Sequence, residues 1–330
     1  MVTMIVALVF VFITGLCIGS FLNVVILRAL SNESILFPAS KCPKCQNHLK
    51  WWHNIPLLSY FLLGGKCAYC KERISFQYPL IELFTGIIFA LMFLKYGVKV
   101  DTLFILAISS LLIVIAGTDI KEKVVFDIHA FSLIGVALLY AIFIVAMGIY
   151  ITHHPQPGYF VPRMSFLHNP ITNSILGAVA GALIMEFFAR LGCLIVGTRA
   201  FGEGDTLIAA GLGAIFGWLP LVFVLLVSVI IQAILFLPVF VKGLWDNKEI
   251  KTLTVFLCFL VYAVALYCMQ MSGILTSGWI FVTASVVLGI LGIIASVLIL
   301  NGLKNHPENR TYLPFGPAMV AAAFIFMILG

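Results

Sequence analysis

TLFILAISSLLIVIAGTDIK, residues 102–121, decides how this chain must fold. Residues 102–118 carry no charge, and Asp119 and Lys121 follow directly. The apolar residues run on without strict alternation, so the stretch reads as a helix rather than a strand with one wet face. Roughly 20 such residues cross the hydrocarbon of a bilayer. Comparable stretches lie at about 3–28, 78–95, 126–149, 173–198, 206–218, 220–241, 252–271, 277–301 and 314–329. The shortest, 206–218, is either a half-helix or the start of the next span. The chain is 62% hydrophobic and 10% charged, which leaves too few polar residues to coat a large soluble core. Continuous apolar runs also argue against a β-barrel. The expected fold is an all-α polytopic membrane protein of about ten transmembrane helices with one cytoplasmic four-cysteine loop.

Charge sets the orientation. Residues 1–27 contain no Lys or Arg, so the first stretch lacks the basic start of a cleaved signal peptide. Basic residues come after it, at Arg28, Lys41, Lys44, Lys50, Lys66, Lys71 and Arg73. The positive-inside rule places 29–77 in the cytoplasm and the N-terminus outside. Carried along the chain, alternation puts 15 of the 19 basic residues inside and three, Lys95, Lys99 and Arg163, outside, with Arg190 within a span. The net charge of +6 is thus a topology signal and not a nucleic-acid footprint. Asp119 and Asp205 both fall at the cytoplasmic face.

The segment 29–77 is the one sizeable polar stretch. It holds Cys42-Pro43-Lys44-Cys45 and Cys67-Ala68-Tyr69-Cys70, with 21 residues between the pairs. That spacing is close to C-x2-C-x15–20-C-x2-C, in which each pair offers two thiolates to one tetrahedral zinc. A redox pair or metal-free thiols are the alternatives, and a reducing cytosol disfavours disulfides. Four thiolates close a coordination sphere, so Cys42, Cys45, Cys67 and Cys70 predict a structural metal that folds a loop with little core of its own. Cys17, Cys193, Cys258 and Cys268 are scattered in apolar spans and read as small core residues.

A carboxylate at membrane depth costs roughly 2.5–3.5 kcal/mol even on the lenient insertion scale, and survives mostly where it faces a wet cavity and functions there. Asp119 ends one span, and Asp205 opens another within Gly202-Glu203-Gly204-Asp205. The glycines suggest a tight turn, and Asp205 a helix N-terminus. Brought together, two carboxylates titrate apart, leaving one ionised to activate water and one protonated to polarise a carbonyl. The bland reading is a pair of wetted helix-end charges. Asp127 rivals Asp119, and Glu186 is expected to pair with Arg190 at i+4. Glu82, just past the loop, is a further candidate or a helix-end charge.

These segments resemble the prepilin leader peptidase/N-methyltransferase family of type IV pilus and type II secretion systems. The resemblance rests on Gly19-Ser20-Phe21-Leu22-Asn23, on Asn54-Ile55-Pro56-Leu57-Leu58-Ser59-Tyr60 between the cysteine pairs, and on Tyr78-Pro79-Leu80-Ile81-Glu82. It rests also on Gly202-Glu203-Gly204-Asp205 and on Leu313-Pro314-Phe315-Gly316-Pro317. It implies a bacterial inner-membrane enzyme that cuts the leader of a prepilin or pseudopilin at the cytoplasmic face. Such an enzyme then methylates the new N-terminus from S-adenosylmethionine. Asp119 and Asp205 match the family's two catalytic aspartates. Three departures stand out: Phe126 where the family often has proline before Asp127, Leu207 where a lysine is common, and about 60 added residues. The domain reading is 1–28 as first helix, 29–77 as cysteine loop, 78–246 as catalytic core, 247–306 as an inserted helix pair, and 307–330 as terminal helix. Alternatives are a peptidase without methyl transfer, an ion-coupled transporter using intramembrane aspartates, or an assembly scaffold.

Overall fold

The computed structural model describes residues 2–31, 33–35, 37, 40–153, 169–196, 201–246 and 314–329, with isolated positions 254, 255, 258 and 287. Helices α1 (Val2–Ser31), α2 (Leu58–Leu62), α3 (Gln77–Tyr96), α4 (Val100–Glu122) and α5 (Asp127–His153) come first, with a short 3-10 turn at Trp51–Asn54. Then follow α6 (Pro170–Val196), α7 (Glu203–Phe216), α8 (Trp218–Asp246) and α9 (Gly316–Leu329). No strand occurs among the described residues.

Six helices, α1, α3, α4, α5, α6 and α8, are long and apolar enough to cross a membrane. The chain is an all-α polytopic membrane protein. Both α7 and α9 have 14 residues, about 21 Å at 1.5 Å per residue, short of the ~30 Å hydrocarbon core. The stretch near 206–218 is a separate short helix. Gly217 takes φ +82°, a left-handed conformation that ends α7 before α8 begins. The spans expected at 252–271 and 277–301 lie almost wholly outside the described residues.

The chain divides into two compact units. One comprises Met1–Leu191, Arg199–Ile231 and Pro314–Gly330; the other comprises Gly192–Thr198 and Gln232–Leu313. The first contains the cysteine loop and both aspartates. Within it, α1 packs on α3 and α4, α4 on α5, α5 on α7, and α9 on α3, α4 and α7. Small residues bring the first pair close. A Cβ on Gly15 would meet the Gly86 Cα at 2.8 Å, and one on Gly19 would meet the Glu82 Cα at 2.8 Å. Lipid offers no hydrophobic drive between helices, so such close backbone packing holds them together.

Polarity is inverted relative to a soluble protein. Phe10, Leu103, Phe223 and Ile230 point outward, where lipid solvates them. Asn23, Glu82, Thr85, Ser109, Thr118, Asp119, Ser174 and Ser228 are buried between helices. Hydroxyls satisfy themselves on the preceding turn, as when Ser109 donates to the Ile105 carbonyl at 2.8 Å and Ser228 to the Val224 carbonyl at 2.6 Å. Cys17, Cys193 and Cys258 are exposed on the outer surface. They are not core residues; in lipid an exposed thiol carries little penalty, so burial was not needed to place them. Cys268 lies outside the described residues.

Gly15→Ala should destabilise the chain by about 1–3 kcal/mol, because the methyl has only backbone and Phe89 to push against. Gly135→Ala, with nothing within 4 Å of the new methyl, should leave stability unchanged or raise it slightly. Thermal unfolding in detergent compares the two. Equal midpoints would remove the close α1–α3 contact as a source of stability.

Candidate active site and metal centre

The loop that follows α1 builds two matching cysteine knuckles. Lys41 bridges His48 in one, and Lys66 bridges Arg73 in the other. In the first, the Cys42 N–H donates to the Asn47 carbonyl and the Gln46 N–H to the Cys42 carbonyl. In the second, the Cys67 N–H donates to Glu72 and the Lys71 N–H to Cys67. Gln46 and Lys71 both take left-handed backbone, φ 57° and 61°. The same turn is thus made twice, 25 positions apart.

The four Sγ atoms lie within 4.8 Å of one another, with Cys42 and Cys70 at 3.9 Å. Four thiolates on a tetrahedral zinc, with bonds of about 2.3 Å, stand about 3.8 Å apart. Cys42, Cys45, Cys67 and Cys70 therefore fit a single metal of that size. The Cys70 and Tyr69 amides donate to the Cys67 sulfur and hold its thiol down at about 6, against some desolvation. Cys70 is pushed up to about 11: the Glu72 amide acts to lower it, and burial and the Cys67, Cys45 and Cys42 sulfurs outweigh that amide. Like sulfurs in one cluster cannot all ionise without a cation, which is the condition a metal relieves.

Below the knuckles the loop is tied to the bundle. Leu57 takes φ 58°, uncommon for a leucine. Its N–H donates to Glu82 Oε2 at 2.8 Å, and Ser20 also bonds that carboxylate. Glu82 is therefore no wetted helix end; it is 7% exposed and pins the loop to α3. Asn23 on α1 donates through Nδ2 to the Tyr78 and Gly19 carbonyls at 3.1 and 3.3 Å. That fixes its amide orientation and leaves Oδ1 buried without a partner.

Asp119 lies in the last turn of α4, 4% exposed. Its backbone carbonyl accepts the Lys123 N–H at 2.9 Å, and Lys123 closes the helix in left-handed backbone, φ 55°. Asp205 is the third residue of α7. Its Oδ2 reaches back to accept the Gly202 N–H at 3.1 Å, the half of a capping box that a glycine N-cap allows. The two aspartates are near enough for their charges to repel, and the Lys123 charge also reaches Asp119. Oδ2 of Asp119 has no partner with hydrogen-bond geometry among the described residues. Asp127 starts α5 and is exposed, a placement explained by the helix dipole alone. Glu186 accepts from Arg190 at 2.8 Å as the i,i+4 spacing predicts.

The glycines act differently from the tight turn expected of them. Gly202 has φ −73°, open to any residue, and a Cβ there would meet only ordinary contacts. Gly204 is a matter of space: a Cβ would strike Val125 at 2.7 Å. It brings the start of α7 against the α4–α5 turn. Sequence reasoning missed several neighbours. Thr206 Oγ1 is buried without a partner beside Asp205. Phe201 packs against Phe315 with ring centroids 5.1 Å apart. Gly316 lies against the Asp119 carboxylate, where a Cβ would overlap Oδ2. The Leu313–Pro317 motif pointed to that segment without saying what it touches.

A helical membrane protein with two apposed aspartates at the end of its bundle that carries a four-cysteine loop is a narrow class. The chain matches the profile of the Type IV leader peptidase family over residues 106–237, and that of the Bacterial Peptidase A24 N-terminal domain over residues 13–96. It is 34% identical over 243 residues to a prepilin leader peptidase/N-methyltransferase of Neisseria gonorrhoeae, covering 66% of this chain and 77% of that one. Proteins of the same name from Klebsiella pneumoniae and Myxococcus xanthus are each 33% identical, over 215 and 221 residues. Those alignments cover 63% and 66% of this chain, and 85% and 58% of theirs. No solved structure matches. The chain belongs to the type IV leader peptidase family.

Cys42→Ser should lower bound metal well below that of the unaltered protein, with the helical bundle left inserted. Metal should also leave as pH falls, because protons compete for the thiolates. Elemental analysis of protein purified without chelator measures both; metal content unchanged by Cys42→Ser, or constant through acidification, contradicts the four-thiolate centre.

Proposed function

We propose that this chain is a membrane aspartyl endopeptidase that removes the leader of a type IV prepilin or pseudopilin and then N-methylates the new terminus. The observation that carries the reading is Asp119 buried at the end of α4 with Asp205 near enough to repel it. In this proposal Asp119 and Asp205 are the catalytic pair. The ionised member takes a proton from a water, whose oxygen adds to the scissile carbonyl. The protonated member donates to the carbonyl oxygen. Collapse breaks the C–N bond, and a carboxyl proton goes to the leaving amine. The burial of Asp119 and the exposure of Asp127 support choosing the former. The relatives' name supports prepilin as substrate class.

The bundle has two ends, and the site shares one with the cysteine loop. At the other, Lys95 and Tyr96 of α3 meet the last turn of α9. The basic residues of 29–77 support assigning the loop end to the cytoplasm and the N-terminus to the outside of a bacterial inner membrane. The metal is taken as zinc, with a folding role, because four cysteines leave no open position.

Methyl transfer requires a donor, taken here as S-adenosylmethionine; the relatives' name supports N-methyl transfer. Bound, that donor supplies an electrophilic methyl group. Of the loop residues, Trp51 and Tyr69 present exposed aromatic faces that suit a cationic donor, and in this reading they would hold it. An ion-coupled transporter explains neither the knuckles nor the family membership.

Asp119→Asn and Asp205→Asn should each lower cleavage of a prepilin in detergent by about 10³-fold or more, since each removes the acid–base group of the pair. Asp127→Asn should cost far less, and the wild-type pH–rate profile should be bell-shaped. If Asp127→Asn abolishes cleavage and Asp119→Asn spares it, the pair has been misassigned. Without S-adenosylmethionine the product should be cut but unmethylated, and adding the donor should raise its mass by one methyl group. A cleaved native substrate that never gains that mass leaves a peptidase alone.

A further inference from the structure

Gly316 is the first residue of α9, and its surroundings join three segments far apart in sequence. A Cβ there would overlap Asp119 Oδ2 on α4 and meet Ile208 Cδ1 on α7 at 2.9 Å. The Gly316 backbone thus lies directly against the Asp119 carboxylate. Phe315, 7% exposed, packs its ring on Phe201 at 5.1 Å between centroids. Phe201 immediately precedes Gly202, whose N–H holds the Asp205 carboxylate at 3.1 Å. One dipeptide thus touches Asp119 directly and the Asp205 cap through a single ring.

The dipeptide is also fixed in place. At the far end of α9, Lys95 Nζ donates to the Ile328 carbonyl at 3.0 Å and the Tyr96 hydroxyl to the Met327 carbonyl at 2.9 Å. These satisfy carbonyls that a helix end otherwise leaves open. Between the ends, Ala318, Met319, Ala322 and Ala323 are wholly buried. A helix packed along its length and capped from a neighbour cannot slide, so its first residue is held against the aspartate. The segment also lies beyond residue 237, where the family profile stops.

We propose that Phe315–Gly316 is a positioning element of the two-aspartate centre, with Gly316 holding the Asp119 carboxylate in its working orientation toward Asp205. This rests on the reading of that pair as the peptidase centre. Gly316 suits the place because it has no side chain. Any Cβ takes the volume of Oδ2 and turns the carboxylate away, and Ile208 blocks relief on the other side.

Two measurements test the proposal, and the first needs no activity. The double variant Phe201→Cys with Phe315→Cys should be bridged by a short bifunctional thiol reagent that spans the space the two rings fill, and neither single variant should form the same crosslink. Absence of that crosslink overturns the placement of α9. The second is prepilin cleavage. Gly316→Ala should lower kcat by about 30-fold or more, the scale of a misplaced catalytic group, with KM within about threefold of wild type. Gly86→Ala is the control: its methyl also crowds its neighbours, Leu16 and Phe12 at 2.8 and 3.0 Å, but away from the aspartates. Per folded enzyme it should change kcat by less than about threefold. If Gly316→Ala retains wild-type kcat, or if Gly86→Ala loses as much, Gly316 is a packing residue only. Should Gly316→Ala fail to fold, Phe315→Leu takes its place. It removes the ring contact without adding a methyl, and an unchanged kcat then overturns the proposal. If the double variant forms the crosslink while the wild-type protein cuts no prepilin, the peptidase reading fails with the placement intact.

Discussion

The Asp119 carboxylate is the group that the loop end of the bundle must accommodate, because lipid will not solvate it. It sits in the last turn of a helix whose preceding stretch, 102–118, belongs in hydrocarbon. Left facing acyl chains it would cost several kcal/mol. Instead α4 turns it inward, where α7 and α9 meet. Both of those helices are short, at 14 residues. Each places its N-terminal turn beside the carboxylate, and an N-terminus presents unsatisfied amides and a positive dipole end. Three constraints serve this one group. Gly204 lets α7 close on Val125, Gly217 ends α7 before it becomes part of α8, and Gly316 lets α9 begin against the carboxylate.

The cysteine loop solves a different problem by a related device. Two knuckles of identical hydrogen bonding bring four sulfurs together. A metal bound there would supply folding energy that side-chain burial in so short a loop does not. The loop's attachment to the bundle is polar. Glu82 accepts the Leu57 amide and Ser20 bonds the same carboxylate. Close packing of Gly19 against Glu82 and Thr85 makes that reach possible. A buried acid thus sets the loop's register on the membrane core, and a second buried acid, Asp119, lies at the same end of the bundle.

Much of this was legible in order of residues. The span near 102–118 falls within α4 and stops about one turn short of its end, because the apolar run reports bilayer thickness while the helix carries on past the charge. The knuckles were legible because two C-x2-C pairs at this spacing have few other uses. Asp119 was legible as a misfit charge. Other readings failed for physical reasons. The glycines of the Gly202–Asp205 motif suggested backbone freedom, but φ at Gly202 is ordinary and Gly204 answers to a neighbour's Cβ. The scattered cysteines suggested core, but apolar residues in a bilayer gain nothing by turning inward, so hydrophobicity cannot tell the lipid face from the helix interface.

The sequence by itself determined the class of fold, the four-thiolate loop, the charge bias between membrane faces and the two aspartates, because each is a local property of composition or spacing. Only the tertiary structure decided that Asp119 is buried and Asp127 exposed, that Glu82 anchors the loop, and that Phe315–Gly316 closes on the aspartates from more than a hundred residues away. Those facts depend on which face of each helix meets which neighbour. In lipid that choice is made by fitting small residues and satisfying buried polar atoms between distant segments, and no stretch of sequence carries it alone.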